Sequence, residues 1–204
     1  MNAKARRDPD ADLVRGLKER RPKSYELLLE RYQAPIYTYT CRLLGESAEA
    51  EDVTQDVFVK VFRNVGGFRG ASTFKTWLYR IATNEASNRR RWYSRHRWRE
   101  INESALHGFG RDLAREVRSP GATPFDHVCE LEGREIVRRA LLEINPRFRP
   151  VVVLRDLEGF TYAEIASMLG IPLGTVKSRM LRGREALKRQ LLRRAAGLAA
   201  VRAR

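Results

Sequence analysis

Cysteine and histidine are scarce in this 204-residue chain, which has two cysteines, Cys41 and Cys129, and three scattered histidines, His96, His107 and His127. Two thiols make no disulfide framework, and the histidines lack metal-ligand spacing. A stapled secreted scaffold and a zinc site are therefore excluded. The neighbouring His127 and Cys129 read as incidental. Long apolar runs are missing too, since nothing approaches the ~18 consecutive apolar residues of a membrane span. The opening MNAKARRDPDADL is basic without an apolar segment before a cleavage site, so no secretory signal is read there. Acidic residues fall well short of basic ones, 25 Asp+Glu against 40 Lys+Arg, for a formal net charge of +15. That balance favours a polyanionic partner, nucleic acid first and an anionic membrane surface second. Paired carboxylates, a nucleophile constellation and a phosphate-cradling glycine loop are all wanting, so neither catalysis nor a cofactor is expected. The expectation is a cytoplasmic, metal-free binding protein with no membrane insertion.

What is present is helical periodicity, and a hydrophobic share of 43% leaves material for a core. Tyr25, Leu28, Leu29, Tyr32, Ile36, Tyr39 and Leu43 recur three or four apart, with Gly45 as a stop. Val53, Val57 and Val61, with Phe58 and Phe62, predict a second helix that ends at Asn64–Gly67. Ser72 or Thr73 then caps a third helix with Phe74, Trp77, Leu78 and Ile81 on its inner face. Between Glu100 and Pro124 the pattern dissolves into Gly, Ser and Pro, which reads as a linker. Periodicity resumes at Val128, Leu131, Val137, Leu141 and Ile144. Val151–Val153 is the one β-like run, too short to decide anything. The fold class is all-α, with two small modules joined by a flexible strap.

The most informative local motif runs from Thr161 to Met180. Thr161 with Glu164 makes a capping box, Ala166 is small at a close helix crossing, Gly170 suits a left-handed turn, and Val176 returns to the core. Those offsets are what a helix-turn-helix requires. Its second helix, starting near Leu173 or Gly174, would turn Thr175, Lys177, Ser178, Arg179, Leu181, Arg182 and Arg184 toward a groove or its phosphates. A solvated basic hairpin is the alternative.

In the first module, Asp52, Gln55, Asp56 and Lys60 form a polar stripe beside the buried valines. Such a stripe is ordinarily a solvated face and less often an interface. The segment from Phe68 to Asn84 mixes aromatics, hydroxyls, an amide and arginines, a chemistry suited to unpaired bases. Phe74, Trp77 and Leu78 have core spacing, whereas Phe68, after two glycines, is better placed for a loop role. A basic run follows, with Arg89, Arg90, Arg91, Arg95, Arg97 and Arg99 interleaved with Trp92, Tyr93 and Trp98.

Arg31-Tyr32, Arg42-Leu-Leu-Gly, Ala50-Glu-Asp-Val-Thr-Gln-Asp-Val-Phe, Phe68-Arg-Gly, Thr76-Trp-Leu-Tyr-Arg-Ile-Ala and Gly174-Thr-Val-Lys-Ser-Arg together resemble the extracytoplasmic-function (ECF) group of sigma-70-family RNA polymerase sigma factors. The resemblance covers residues 22–96 and 128–192 in order. It implies an N-terminal extension (1–21), a region-two-like domain (22–99), a flexible linker (100–127), a region-four-like helix-turn-helix domain (128–195) and a tail (196–204).

The resemblance also implies partners. Asp52, Gln55, Asp56 and Lys60 would face core RNA polymerase, at the clamp helices of the largest subunit. The second module would meet the flap of the second-largest subunit. Phe68, Arg69, Ser72, Thr73, Arg80, Asn84, Asn88, Arg89, Arg90 and Arg91 would meet the minus-ten element as it melts, with Phe68 and Asn84 at a flipped base. The helix-turn-helix residues would lie at the minus-thirty-five element of promoter DNA, and an anti-sigma protein would hold the factor inactive. Two rivals explain less. A dimeric duplex-binding regulator leaves the Asp52–Asp56 stripe unexplained, and an RNA-binding adaptor leaves the Ala166, Gly170 and Val176 spacing unexplained.

Overall fold

The computed structural model describes residues 8–45, 47–96 and 124–202. The expected linker up to residue 123, the last arginines of the basic run with Trp98, and the outermost terminal residues lie outside the described residues. No strand occurs among those described, as expected of an all-α chain. No described helix is long and apolar enough to cross a membrane. Two compact units result, one from Met1–Thr40 and Ala48–His107, the other from Cys41–Ser47 and Gly108–Arg204.

The first unit contains α1 (Ala11–Lys18), α2 (Pro22–Leu44, its last turn grouped with the other unit), α3 (Ser47–Asn64), a 3-10 turn (Val65–Gly67) and α4 (Phe74–His96). The apolar spacing of α2 and α3 does what it predicts, burying Leu28, Tyr32, Ile36 and Tyr39 against Val53, Val57, Phe58 and Val61. From α4 come Phe74, Leu78, Tyr79 and Ala82. Gly45 has φ +93°, the left-handed stop that lets α2 end there.

Buried hydroxyls tie the helices laterally. Thr40 and Thr54 sit 3.1 Å apart, and Tyr39 Oη lies 2.6 Å from Thr83 Oγ1, which donates to the Tyr79 carbonyl. These groups are satisfied, so their burial carries little penalty. An aromatic cluster closes one end, with Phe74 5.8 Å from Tyr32, 6.0 Å from Phe68 and 5.7 Å from Trp77 between ring centres. Phe74 is fully buried. Phe74→Ala should therefore destabilise this unit by ~3–5 kcal/mol, the range for emptying a phenyl site in a packed core. Denaturant unfolding of the full chain would check it.

Helix α1 is too short to show a periodic signal in the sequence. Its Leu13, Val14 and Leu17 are nonetheless part of the core. The nearly buried Asp10 is held by Arg31 and by the Tyr32 hydroxyl of α2. Burial first, then the hydrogen bond to Asp10, pushes the Tyr32 hydroxyl far above its usual range.

The second unit contains α5 (Pro124–Glu143), α6 (Arg149–Val152), one π-helical turn (Val153–Leu157), α7 (Tyr162–Leu169) and α8 (Leu173–Arg202). The β-like valines are thus helical, and Val151, Val152, Val153 and Leu154 are all buried. Tertiary burial overrides their strand preference. Helix α5 begins at Pro124, ahead of Val128 where the periodicity resumes, and α8 runs on through most of the expected tail.

Candidate nucleic-acid interface

In the second unit, the local sequence builds the turn. Thr161 Oγ1 accepts from the Glu164 backbone N–H at 3.3 Å, and the Glu164 carboxylate accepts from the Thr161 N–H at 2.8 Å. This is the reciprocal capping box, which fixes where α7 starts. Gly170 ends α7 at φ +61°, and its N–H reaches the Ala166 carbonyl. Ile165, Met168, Val176 and Met180 are buried, locking α7 onto α8. The turn therefore holds α8 by its buried side and leaves the opposite side open.

On that open side Lys177, Ser178, Leu181 and Arg182 are exposed, Leu181 by 64%. Thr175 and Arg179 are half-buried, and Ser178 Oγ donates to the Thr175 carbonyl at 3.1 Å. Arg184, expected among the DNA-facing residues, instead makes a two-pronged ion pair with Asp156, at 3.0 and 2.5 Å. Its guanidinium is engaged in bracing α8 against the π-helical turn. Leu181 is thus an exposed apolar side chain with Arg182 and Lys177 beside it, and Leu173 and Leu192 of the same helix are exposed as well.

In the first unit, Asp52, Gln55, Asp56 and Lys60 are all exposed along α3, with Val53, Val57 and Val61 buried behind them. The stripe has partners on α4. Arg89 lies 3.5 Å from both Asp52 and Asp56, and Lys60 pairs with Glu85 at 2.6 Å. Arg89, expected on phosphates, thus stands over the acidic stripe. Glu85 was not singled out from the sequence, although its four-residue offset from Arg89 on α4 offered a signal. Beside these pairs lies an open groove of 620 Å³, lined by Val53, Asp56, Glu85, Asn88, Arg89, Arg91 and Trp92.

At the start of α4, Thr73 rather than Ser72 makes the cap, its Oγ1 accepting from the Thr76 N–H at 3.2 Å. Arg69, Gly70 and Ala71 are exposed, and Gly70 takes φ +72°. Phe68 behaves differently from its loop expectation. Its ring is buried, 8% exposed, against Phe74 and Trp77 at 6.0 and 5.4 Å. Two preceding glycines suggested exposure, but joining the aromatic cluster removes more apolar surface from water. Asn84 and Asn88 are exposed further along α4, while Arg80, Arg89 and Arg90 are half-buried. Arg91 donates to Asn88 Oδ1 at 2.6 Å, and burial, then the charge of Arg91, lowers the proton affinity of Arg90. No cluster of metal-ligating side chains occurs among the described residues.

Comparison with known proteins places both units. A family model described as sigma-70 region 2 matches residues 28–99, and one described as sigma-70, region 4 matches residues 134–187. The chain is 34% identical over 164 residues to the ECF RNA polymerase sigma factor SigW of Bacillus subtilis (strain 168), across 80% of this chain and 87% of that protein. It is 35% identical over 183 residues to the ECF RNA polymerase sigma-E factor of Escherichia coli (strain K12), across 87% and 92%. Two solved structures share the fold. The sigma factor RpoE of Bartonella quintana, in complex with the anti-sigma factor NepR, has a TM-score of 0.62 at 24% identity, over 83% of this chain and 97% of that one. CnrH, in complex with the cytosolic domain of CnrY, has a TM-score of 0.61 at 22% identity, over 89% and 96%.

Proposed function

Because this chain belongs to the ECF group of the sigma-70 family, and is accordingly a transcription initiation factor and not an enzyme, we propose the following division of labour along it. Residues 22–99 form the domain that docks on core RNA polymerase and takes the minus-ten strand, and 128–195 form the domain for the minus-thirty-five element. Asp52, Gln55, Asp56 and Lys60 meet the clamp helices of the largest subunit, and the second domain meets the flap of the second-largest subunit. The loop 69–73 with Asn84 and Asn88 receives the melted strand. Arg80, Arg90 and Arg91 hold its phosphates, with Arg89 at the border between that strand and the acidic stripe it pairs with. Phe68 and Thr73 act from beneath, as the wall and hinge of the loop. Lys177, Ser178, Leu181 and Arg182 read the duplex, flanked by Thr175 and Arg179, with Arg184 supporting their helix.

The observation that carries this reading is the surface of α8. A capped, glycine-turned helix pair presents Lys177, Ser178 and Arg182 around the exposed Leu181, a surface suited to a groove and its phosphates. Each module alone would bind DNA weakly. Joining both to one polymerase raises the effective concentration of the second contact. The anti-sigma partner and a cytoplasmic site of action rest on family resemblance.

Run-off transcription on fragmented genomic DNA of the source organism, with core polymerase with and without this chain, tests the reading. New start sites preceded by two shared elements at one fixed spacing are expected. DNA binding without new starts would instead make the chain a conventional duplex-binding regulator.

A further inference from the structure

The segment ahead of α2 has no part in the division of labour above, yet it grips both ends of the loop assigned to the melted strand. Lys18, the last residue of α1, donates from Nζ to the Phe68 carbonyl at 2.7 Å. Asp8 Oδ2 accepts from the Phe74 N–H at 2.6 Å, while its Oδ1 accepts from the Asp10 N–H at 3.1 Å. Phe68 and Phe74 flank the loop 69–73 on either side.

The loop has little else to fix it. Arg69, Gly70 and Ala71 are exposed, so no core packing sets their position. Its far end is the start of α4, where the first backbone N–H groups have no partner inside the helix. Thr73 takes care of the Thr76 N–H, and Asp8 takes care of that of Phe74. A carboxylate at that place also favours the positive end of the helix dipole. The grip is itself firmly based. Leu13, Val14 and Leu17 are buried, and Asp10 is 2% exposed between Arg31 and Tyr32.

We infer that Asp8 and Lys18 are positioning residues for minus-ten recognition, because together they pin the two ends of the loop 69–73 from α1 and its leading turn. The inference rests on the assignment of that loop to the melted strand. Neither residue needs to touch DNA for this role. Each fixes a backbone group whose displacement would move every side chain of the loop. A shift of about 1 Å at a recognition surface is enough to cost specificity.

The rival role for Lys18 is a direct phosphate contact, and charge separates the two. Removing Asp8 takes away a negative charge, so electrostatics alone predicts tighter DNA binding. Positioning predicts weaker binding. The same opposition does not arise for Lys18, which is why both residues are needed.

The test uses the full chain bound to core polymerase. The probe is a fluorescent single strand carrying the minus-ten element of the strongest promoter from the run-off experiment. A set with one base changed at each position of the element measures discrimination. Asp8→Ala and Lys18→Met should each weaken cognate binding roughly tenfold, the scale of one charge-assisted hydrogen bond. Both should also narrow the gap between cognate and changed strands, and Lys18→Arg should restore it. Core affinity and duplex binding at the minus-thirty-five element should stay as in the wild type.

Tighter binding by Asp8→Ala overturns the inference. So does a uniform loss by Lys18→Met with a salt slope reduced by about one. Variants that discriminate like the wild type overturn it alone, whereas a wild-type complex that binds no strand overturns the loop assignment as well. If Asp8→Ala loses its folded core, the comparison of Lys18→Met with Lys18→Arg decides, since Lys18 is exposed.

Discussion

Replacing Asp52 and Gln55 together by alanine should weaken binding to core RNA polymerase roughly thirtyfold or more and leave the melting temperature nearly unchanged. The two halves of that expectation come from different physics. Stability is insensitive because the stripe is solvated. Asp52 is 63% and Asp56 57% exposed in their side chains, and their shared partner Arg89 is 3.5 Å away. Exposed pairs of this kind contribute at most about 1 kcal/mol. Affinity is sensitive because an interface concentrates its energy in few residues, and losing two central ones costs ~2 kcal/mol or more. Arg89→Ala gives a control of opposite sign. It leaves the acidic stripe without its intramolecular counter-charge, so a basic partner surface should bind it no more weakly than the wild type. Titration of a fluorescent chain with core polymerase measures both, beside thermal unfolding of each variant. Unchanged affinity of the double variant would return the stripe to a merely solvated face.

The elements legible in the sequence are those whose cause is local. The three-and-four spacing of α2, the capping box at Thr161 and Glu164, and the left-handed glycine at 170 each involve residues within a few positions of one another. Spacing alone therefore announces them. What stayed hidden depends on distant partners. Helix α1 offers eight residues, too few for a periodic signal, and its place is fixed by Asp10 reaching Arg31 and Tyr32. Lys18 and Phe68 are 50 positions apart, Asp8 and Phe74 66. Arg184 looked like one more surface cation until Asp156, 28 positions earlier, claimed it. Phe68 shows the same effect in packing. Its neighbours in sequence are glycines, while its neighbours in space are Phe74 and Trp77.

Two glycines of α8 give the other large expectation, because enlarging them should act in opposite directions according to what a new Cβ would meet. At Gly183 that atom would lie 2.5 Å from Val152 Cγ2 and 3.2 Å from Phe148 Cβ. Val152 is 1% exposed, and its branched side chain has no second comfortable rotamer in a helix. Helix α6 must therefore move away from α8. Gly183 is itself buried at this crossing of α6 and α8. Gly183→Val adds the bulk of three carbons there, and overpacking should cost ~3 kcal/mol or more. In a small unit that is a large share of the total stability. Duplex binding should fall with it, since α6 backs the helix that carries Lys177 and Leu181. At Gly174, by contrast, a Cβ meets nothing within 4 Å. Gly174→Ala should gain up to ~1 kcal/mol of helix propensity. Unfolding curves of the two variants should shift to opposite sides of the wild type, and equal shifts would refute the close approach of α6 to α8.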